Sequence, residues 1–91
     1  MRSADPETQR KILNRLKRAR GQLDAVIREV EGEGSCRDVV TQLAAVSTAL
    51  DRTGFTIVSS AMQHCLADPE KAEKEEKLTV EELEKLFLSL A

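Results

Sequence analysis

Apolar residues recur at helical spacing in three segments of the chain, and no segment alternates between apolar and polar residues as a strand would. In the first segment, about 6–31, they recur at intervals of four and three, as in packed helices: Ile12, Leu16, Ala19, Leu23, Val26 and Val30. A longer stripe follows over about 36–66, and a short one over about 80–90. The pattern predicts an all-α fold with two long helices and a short C-terminal helix.

Residues typical of helix N-termini precede all three segments: Asp5 and Pro6 at the first, Ser35 and Asp38 at the second, Thr79 and Glu82 at the third. Glycines in the run EGEGS, 31–35, end the first helix. The charged segment 68–77 has few apolar residues and is predicted to be a loop or a frayed helix. Gly21 and Gly54 lie inside the long helices, where close approach between packed helices or simple tolerance would account for them.

The composition limits the core and favours an oligomer. A chain of 91 residues forms a single domain, 1–91, that buries only about 60% of its unfolded surface. It contains two Phe and no Trp or Tyr, so the core must come from aliphatic side chains. Domains of this size usually gain stability from an oligomer, a metal or disulfides. Because two long helices make only half a bundle, we predict an antiparallel dimer whose long helices form a four-helix bundle.

The two cysteines are too few for a disulfide framework, and the sequence has neither a secretory segment nor an apolar run of 18 residues. These features predict a cytoplasmic protein with no membrane partner. In that reducing compartment, cysteines tend to be sensing, catalytic or metal-binding.

The net charge of −2 hides a strong asymmetry. Residues 1–28 hold eight Arg or Lys and three acids, whereas residues 29–91 hold six bases and thirteen acids. On the first helix, bases and an amide recur at intervals of four, three and four, away from the apolar seam: Lys11, Arg15, Arg18 and Gln22. Arg52 is an isolated base in the middle of the second helix. The asymmetry favours an interaction surface at the basic end, and the alternative is a solvated helix face.

Cys36 and Cys65 cannot meet within one chain if the second helix is continuous. Their separation of 29 residues corresponds to about 43 Å along a helix, whereas a disulfide needs Cα atoms within about 7 Å. The same separation is roughly 20° beyond eight full turns, so both thiols lie on one face at opposite helix ends. Antiparallel pairing of two such helices would bring Cys36 of one chain to Cys65 of the other. The alternative is two small buried residues, since free cysteine is often buried.

The run SSAMQHC, 59–65, places His64 directly beside Cys65. One residue is about 100° of helix, so the two side chains cannot easily bind one metal from an unbroken helix. The position four residues before Cys65 would suit a ligand, but it is Ala61 and has no donor atom. At the other end, Cys36 lies in the first turn of the helix, where free amides and the helix dipole favour the reactive thiolate.

These motifs resemble the copper-sensing operon repressor family (CsoR/RcnR/FrmR) over nearly the whole chain. The resemblance rests on RGQ at 20–22, on CRDVVTQLAAV at 36–46 and on HC at 64–65. It implies a disc-shaped tetramer built from antiparallel dimers, which binds double-stranded operator DNA and is released by an inducer. Arg15 and Arg52 resemble the arginines with which the family contacts DNA. Lys11 and Arg18 are expected to support this contact. No helix-turn-helix is readable, so binding should depend on phosphate contacts and DNA shape.

Departures from the copper-sensing pattern indicate the inducer. The resemblance implies that copper-sensing members have a cysteine at the start of helix 2 and the motif His-x-x-His-Cys near its end. Cys36 and Cys65 match, His64 matches the second histidine, and Ala61 replaces the histidine that binds metal. Nickel- and cobalt-sensing members have further histidines, and formaldehyde-sensing members have a proline where this chain has Arg2. A thiol pair without the imidazole is similar to the persulfide-sensing, CstR-like branch.

The sequence therefore favours a bacterial transcriptional repressor, not an enzyme, whose Cys36 and Cys65 react with persulfides or related sulfur species without a cofactor. The alternative is a Cu(I)-responsive repressor in which Cys36, Cys65 and, as a further ligand, His64 bind the metal. A thiol oxidoreductase would need a Cys-x-x-Cys motif or a strand-based scaffold, and neither is present. A purely structural helical module is the remaining class, and it would not bind DNA.

Overall fold

The residues that the structure describes form four helices and no strand. The computed structural model describes residues 1 and 4–91 and contains α1 (Pro6–Glu31), α2 (Cys36–Ala67), α3 (Pro69–Glu76) and α4 (Val80–Leu90). The all-α class is thus confirmed. Arg2, one of the bases of the N-terminal segment, lies outside the described residues. Of the described helices, none is long and apolar enough to cross a membrane.

Side-chain caps fix where the helices begin. The Asp5 carboxylate accepts a hydrogen bond of 2.7 Å from the Thr8 amide, which lowers the pKa of that carboxyl below its ordinary value. Ser35 accepts from the Asp38 amide at 3.1 Å in the same way. The Thr79 hydroxyl accepts a hydrogen bond of 3.2 Å from the Glu82 amide and donates one of 3.1 Å to the Glu82 carboxylate. These local bonds explain why the helix starts are readable from the sequence.

Helix α3 corrects the prediction of a loop or frayed helix over 68–77. Asp68 accepts a hydrogen bond of 3.1 Å from the Lys71 amide, and Pro69 occupies the first helical position. The helix ends at Lys77, whose φ of 58° places it in the left-handed region. Ala72 is completely buried. The cap, the proline and the burial of Ala72 together account for the helix, and the charged composition does not reveal that burial.

Helix α2 is the central element, with α1 packed along it and α3 and α4 packed on its C-terminal half. That half contributes to a cluster of four buried residues: Ala61, Cys65, Ala72 and Leu83. One helical turn of α4 further on, the Phe55 and Phe87 rings lie 5.4 Å apart between centroids. The glycines of the long helices have different explanations. A Cβ on Gly54 would lie 3.1 Å from a methyl carbon of Leu90, whereas nothing approaches Gly21 within 4 Å.

The predicted seam of α1 divides into two sets in the structure. The three residues at seven-residue intervals, Ile12, Ala19 and Val26, are buried against the rest of the protomer. The three that alternate with them remain exposed: Leu16, Leu23 and Val30. Helix α2 also has an exposed apolar set in its N-terminal half, consisting of Val40, Leu43 and Leu50. One protomer therefore covers only part of the apolar surface that its long helices present.

Candidate functional site

Three arginines from two helices surround one groove between α1 and α2. Arg15 and Arg18 come from α1, Arg52 comes from α2, and the groove has a volume of about 340 Å³. Its floor is formed by small, nearly inaccessible residues, including Ala19 at 3% and Thr53 at 2% exposure. No acidic residue is among the described residues that line it. We call these residues the arginine groove. Three positive charges above small, uncharged side chains are suited to binding a phosphate group.

The arginine groove contains three of the four residues predicted from the sequence to contact DNA. The fourth, Lys11, is not among its lining residues. Its ammonium lies 3.7 Å from the Glu7 carboxylate, one turn earlier on the same exposed helix face. Such an exposed pair is worth little in stability, but it offsets the lysine charge locally. Lys11 is thus expected to attract an anion less strongly than the arginines do.

Two threonines at this site were missed from the sequence: Thr53 lines the arginine groove, whereas Thr56 lies outside its lining, in the neighbouring polar pocket. Thr53 lies under the arginines and donates its hydroxyl proton to the Ala49 carbonyl at 2.9 Å. Thr56 lies one turn beyond Arg52 and accepts a hydrogen bond of 3.3 Å from Nη1 of Arg15. The spacing of four residues between Arg52 and Thr56 was a usable signal, because it places both side chains on one face of a helix.

Cys36 is the first residue of α2, next to the capping Ser35, and its side chain is exposed. The residues at four, seven and fourteen positions further on are the exposed apolar set of α2. Because these intervals follow the helical repeat, Cys36 shares the face of that apolar set. The thiol therefore lies at the edge of the surface on which we expect a second protomer to pack.

Cys65 has the opposite environment. It is 1% exposed and lies in the cluster with Ala61, Ala72 and Leu83, so α3 and α4 cover it. Within one protomer, α2 is a continuous helix and separates Cys65 from Cys36 by about 43 Å. The structure therefore does not bring the two cysteines together in a single chain. Any joint chemistry requires a second protomer.

His64 faces a different part of the molecule from its neighbour Cys65. It is half-buried at a polar pocket of about 490 Å³ that also contains Asp5, Thr8 and Gln63. Its Nε2 atom is buried and has no hydrogen-bond partner among the described residues. No three His, Cys, Asp or Glu side chains of residues 1 and 4–91 are grouped so that one protomer could hold a metal ion. His64 and Cys65 are thus not part of such a group among the described residues.

Comparison with known proteins identifies the family of the chain. The family model described as "Metal-sensitive transcriptional repressor" matches residues 8–89. The copper-sensing transcriptional repressor CsoR of Mycobacterium ulcerans (strain Agy99) is 39% identical over 61 residues, which cover 67% of this chain and 52% of that protein. The copper-sensing transcriptional repressor CsoR of Mycobacterium bovis (strain BCG / Pasteur 1173P2) is 36% identical over 58 residues, which cover 64% and 49%.

The chain spans about half the length of these curated relatives. No solved structure matches it with significance. The family match nevertheless covers nearly all of the chain and describes a repressor rather than an enzyme. The protein belongs to the metal-sensitive transcriptional repressor family.

Proposed function

We propose that the protein binds operator DNA through the arginine groove and releases it when Cys36 and Cys65 of neighbouring protomers react with an inducer. The observation that carries the DNA part is the convergence of Arg15, Arg18 and Arg52 on one groove without an acidic lining residue. Guanidinium groups bind phosphate oxygens in a bidentate manner and contribute most of the sequence-independent affinity for DNA. Family membership supports the same role.

The exposed apolar sets of α1 and α2 support a dimer. Leucines at 37–47% exposure along both long helices form surfaces that a soluble monomer rarely leaves open: Leu16, Leu23, Leu43 and Leu50. Packing of two protomers through these faces would complete a four-helix bundle. Two such dimers would form the tetramer that we expect to contact DNA.

A charge in this surface is expected to separate the protomers. Replacing Leu43, which is 47% exposed, with lysine would bury an unpaired ammonium in the proposed interface, while the protomer itself would tolerate it. Sedimentation velocity should then report a monomer where the wild-type protein is a dimer or tetramer. Arg37→Lys, a conservative change in the first turn of the same helix, is the control. An L43K protein that keeps the wild-type sedimentation coefficient would contradict the proposed interface.

Sensing of an inducer depends on helices α3 and α4, which cover Cys65. Antiparallel packing of two α2 helices would carry the exposed Cys36 of one protomer toward the end of α2 where the partner's Cys65 lies. Because Cys65 is 1% exposed under α3 and α4, reaction with it requires that this cover move. Arg52 belongs to the same helix, so a change in the packing of α2 can reach the arginine groove. A coupling of about 1–3 kcal/mol would change DNA affinity roughly 5- to 150-fold.

Cu(I) is the first candidate inducer, since both relatives named above are copper-sensing repressors. Cu(I) sensing is therefore favoured over persulfide sensing. Two thiolates, Cys36 and the partner subunit's Cys65, are the soft ligands that Cu(I) prefers. His64 is a poor third ligand in this arrangement, because it lies at the polar pocket and not in the cluster around Cys65.

Reactive sulfur is the second candidate, and Ala61 is the observation that favours it. Ala61 is 6% exposed beside Cys65, so an inert methyl group fills the position from which a nitrogen ligand would act. The Cys36 thiolate would attack a persulfide donor, form a Cys36 persulfide and displace a thiolate. The partner subunit's Cys65 thiolate would then attack the sulfur bonded to Cys36, form an interprotomer disulfide and expel hydrosulfide, which carries away the electron pair.

A release assay distinguishes the two inducers. Duplex DNA selected from random sequences by the reduced protein is labelled, and fluorescence anisotropy follows its release under anaerobic conditions. If Cu(I) is the inducer, release saturates near one Cu(I) per Cys36–Cys65 pair, and Ala61→His increases the sensitivity. If reactive sulfur is the inducer, polysulfide releases DNA and mass spectrometry finds Cys36 and Cys65 crosslinked between chains. Failure of the reduced wild-type protein to select any duplex would refute the DNA-binding proposal itself.

A further inference from the structure

The contact between Thr56 and Arg15 joins the two helices of the arginine groove. Nη1 of Arg15 on α1 donates a hydrogen bond of 3.3 Å to Oγ1 of Thr56 on α2. The same Thr56 hydroxyl donates its proton to the backbone carbonyl of Arg52 at 3.0 Å. One threonine therefore links the side chain of one groove arginine to the backbone of another.

The polarity of this chain of hydrogen bonds is fixed. A threonine hydroxyl has one proton and two lone pairs, and the Arg52 carbonyl takes the proton. The oxygen consequently presents only lone pairs toward Arg15, which matches a guanidinium group that can only donate. Arg15 has five N–H donors, so one bond to Thr56 leaves four for another acceptor. The contact thus orients the guanidinium without exhausting its donors.

We infer that Thr56 is a positioning residue for DNA binding, which holds the Arg15 guanidinium beside Arg52 before a phosphate arrives. The inference rests on the DNA-binding role proposed for the arginine groove. An exposed arginine loses much rotamer freedom when it is fixed on a ligand, and a residue that orders it beforehand reduces that loss. Thr56 would therefore increase affinity without itself adding charge at the interface.

Thr56→Val tests the inference, because valine keeps the branched shape and similar helix propensity but removes the acceptor oxygen. We expect the affinity for the selected duplex to fall roughly two- to tenfold. Thr56→Ser, which keeps the hydroxyl, should restore wild-type affinity. Thr48→Val is the matched control, since Thr48 is exposed on the same helix and makes the same backbone bond, to the Ala44 carbonyl at 3.1 Å, away from the groove arginines.

A double-mutant cycle separates positioning from a general structural effect. If Thr56 acts through Arg15, Thr56→Val has no further effect on affinity in an Arg15→Ala background. Wild-type affinity in the T56V protein would overturn the inference, and so would an equal loss from T48V or an unchanged T56V effect beside Arg15→Ala. Each of these outcomes presupposes that the wild-type protein binds the duplex. Absence of wild-type binding would instead refute the proposed function.

Discussion

Replacing Arg15 and Arg52 together with alanine is expected to reduce affinity for the selected duplex by at least about 100-fold near physiological salt. The two guanidinium groups come from different helices but line the same groove. Each chain carries one copy of each, so the double variant would lose four phosphate-binding charges for every proposed dimer. The dependence of log affinity on log salt should also become shallower, by roughly one unit for each lost phosphate contact. Fluorescence anisotropy at several salt concentrations measures both effects.

Two basic residues of α1 serve as controls for this prediction. Arg20 is exposed on the same helix but is not among the residues that line the arginine groove. Lys11 has the Glu7 carboxylate 3.7 Å away. Arg20→Ala and Lys11→Ala should each reduce affinity much less than Arg15→Ala. Comparable losses in all three variants would mean that the basic helix attracts DNA diffusely and that the groove has no special role.

The helix starts could be predicted because they depend on bonds between residues three positions apart. The caps at Ser35 and Thr79 form as their spacing indicates. Helix α3 was not predicted, although it begins with the same Asp–Pro pair as α1, because few apolar residues follow that pair and the burial of Ala72 with Cys65 and Leu83 is visible only in the structure. That burial depends on how α3 and α4 fold back onto α2, and a local pattern of charged residues contains no such information. Asp68 both ends α2 and caps the start of α3.

The apolar seam of α1 shows a second limit of sequence patterns. Spacing of four and three predicts which residues face a partner helix, but it does not state which helix that partner is. Ile12 and Val26 are buried in the folded chain, whereas Leu16 and Leu23 remain exposed. Residues of both kinds follow the same heptad, so only the structure separates them.

The candidate site was predictable to the extent that it depends on one helix at a time. Arg15 and Arg18 share a face of α1 by their spacing. Their meeting with Arg52 depends on the register between α1 and α2, which a spacing pattern within either helix cannot supply. The hydrogen bond to Thr56 depends on the same register. Burial of Cys65 depends on α3 and α4. Because of this burial, the Cys65 thiol can react only after these helices move.

Mixed dimers are expected to recover an inducer response that neither parent variant has. Cys36→Ala and Cys65→Ala homomers should bind DNA normally and show no release by inducer, because each lacks one thiol of every site. When the two variants are co-expressed with different tags and purified as mixed dimers, one of the two sites regains both thiols. Release should then return, with about half of the wild-type inducer stoichiometry in the anisotropy assay. Alanine is chosen at position 65 because serine would place an unpaired hydroxyl in the buried cluster.

This recovery distinguishes a shared site from two independent thiols. If each cysteine acted within its own chain, a mixed dimer would contain one protomer without Cys36 and one without Cys65, and no intact site would exist. The continuous α2 helix makes that arrangement physically demanding, since about 43 Å separates the two positions within a protomer. An unresponsive mixed dimer that still binds DNA would therefore rule out the antiparallel site. A responsive C36A homomer would show that Cys65 suffices, and movement of α3 and α4 alone would then have to carry the signal.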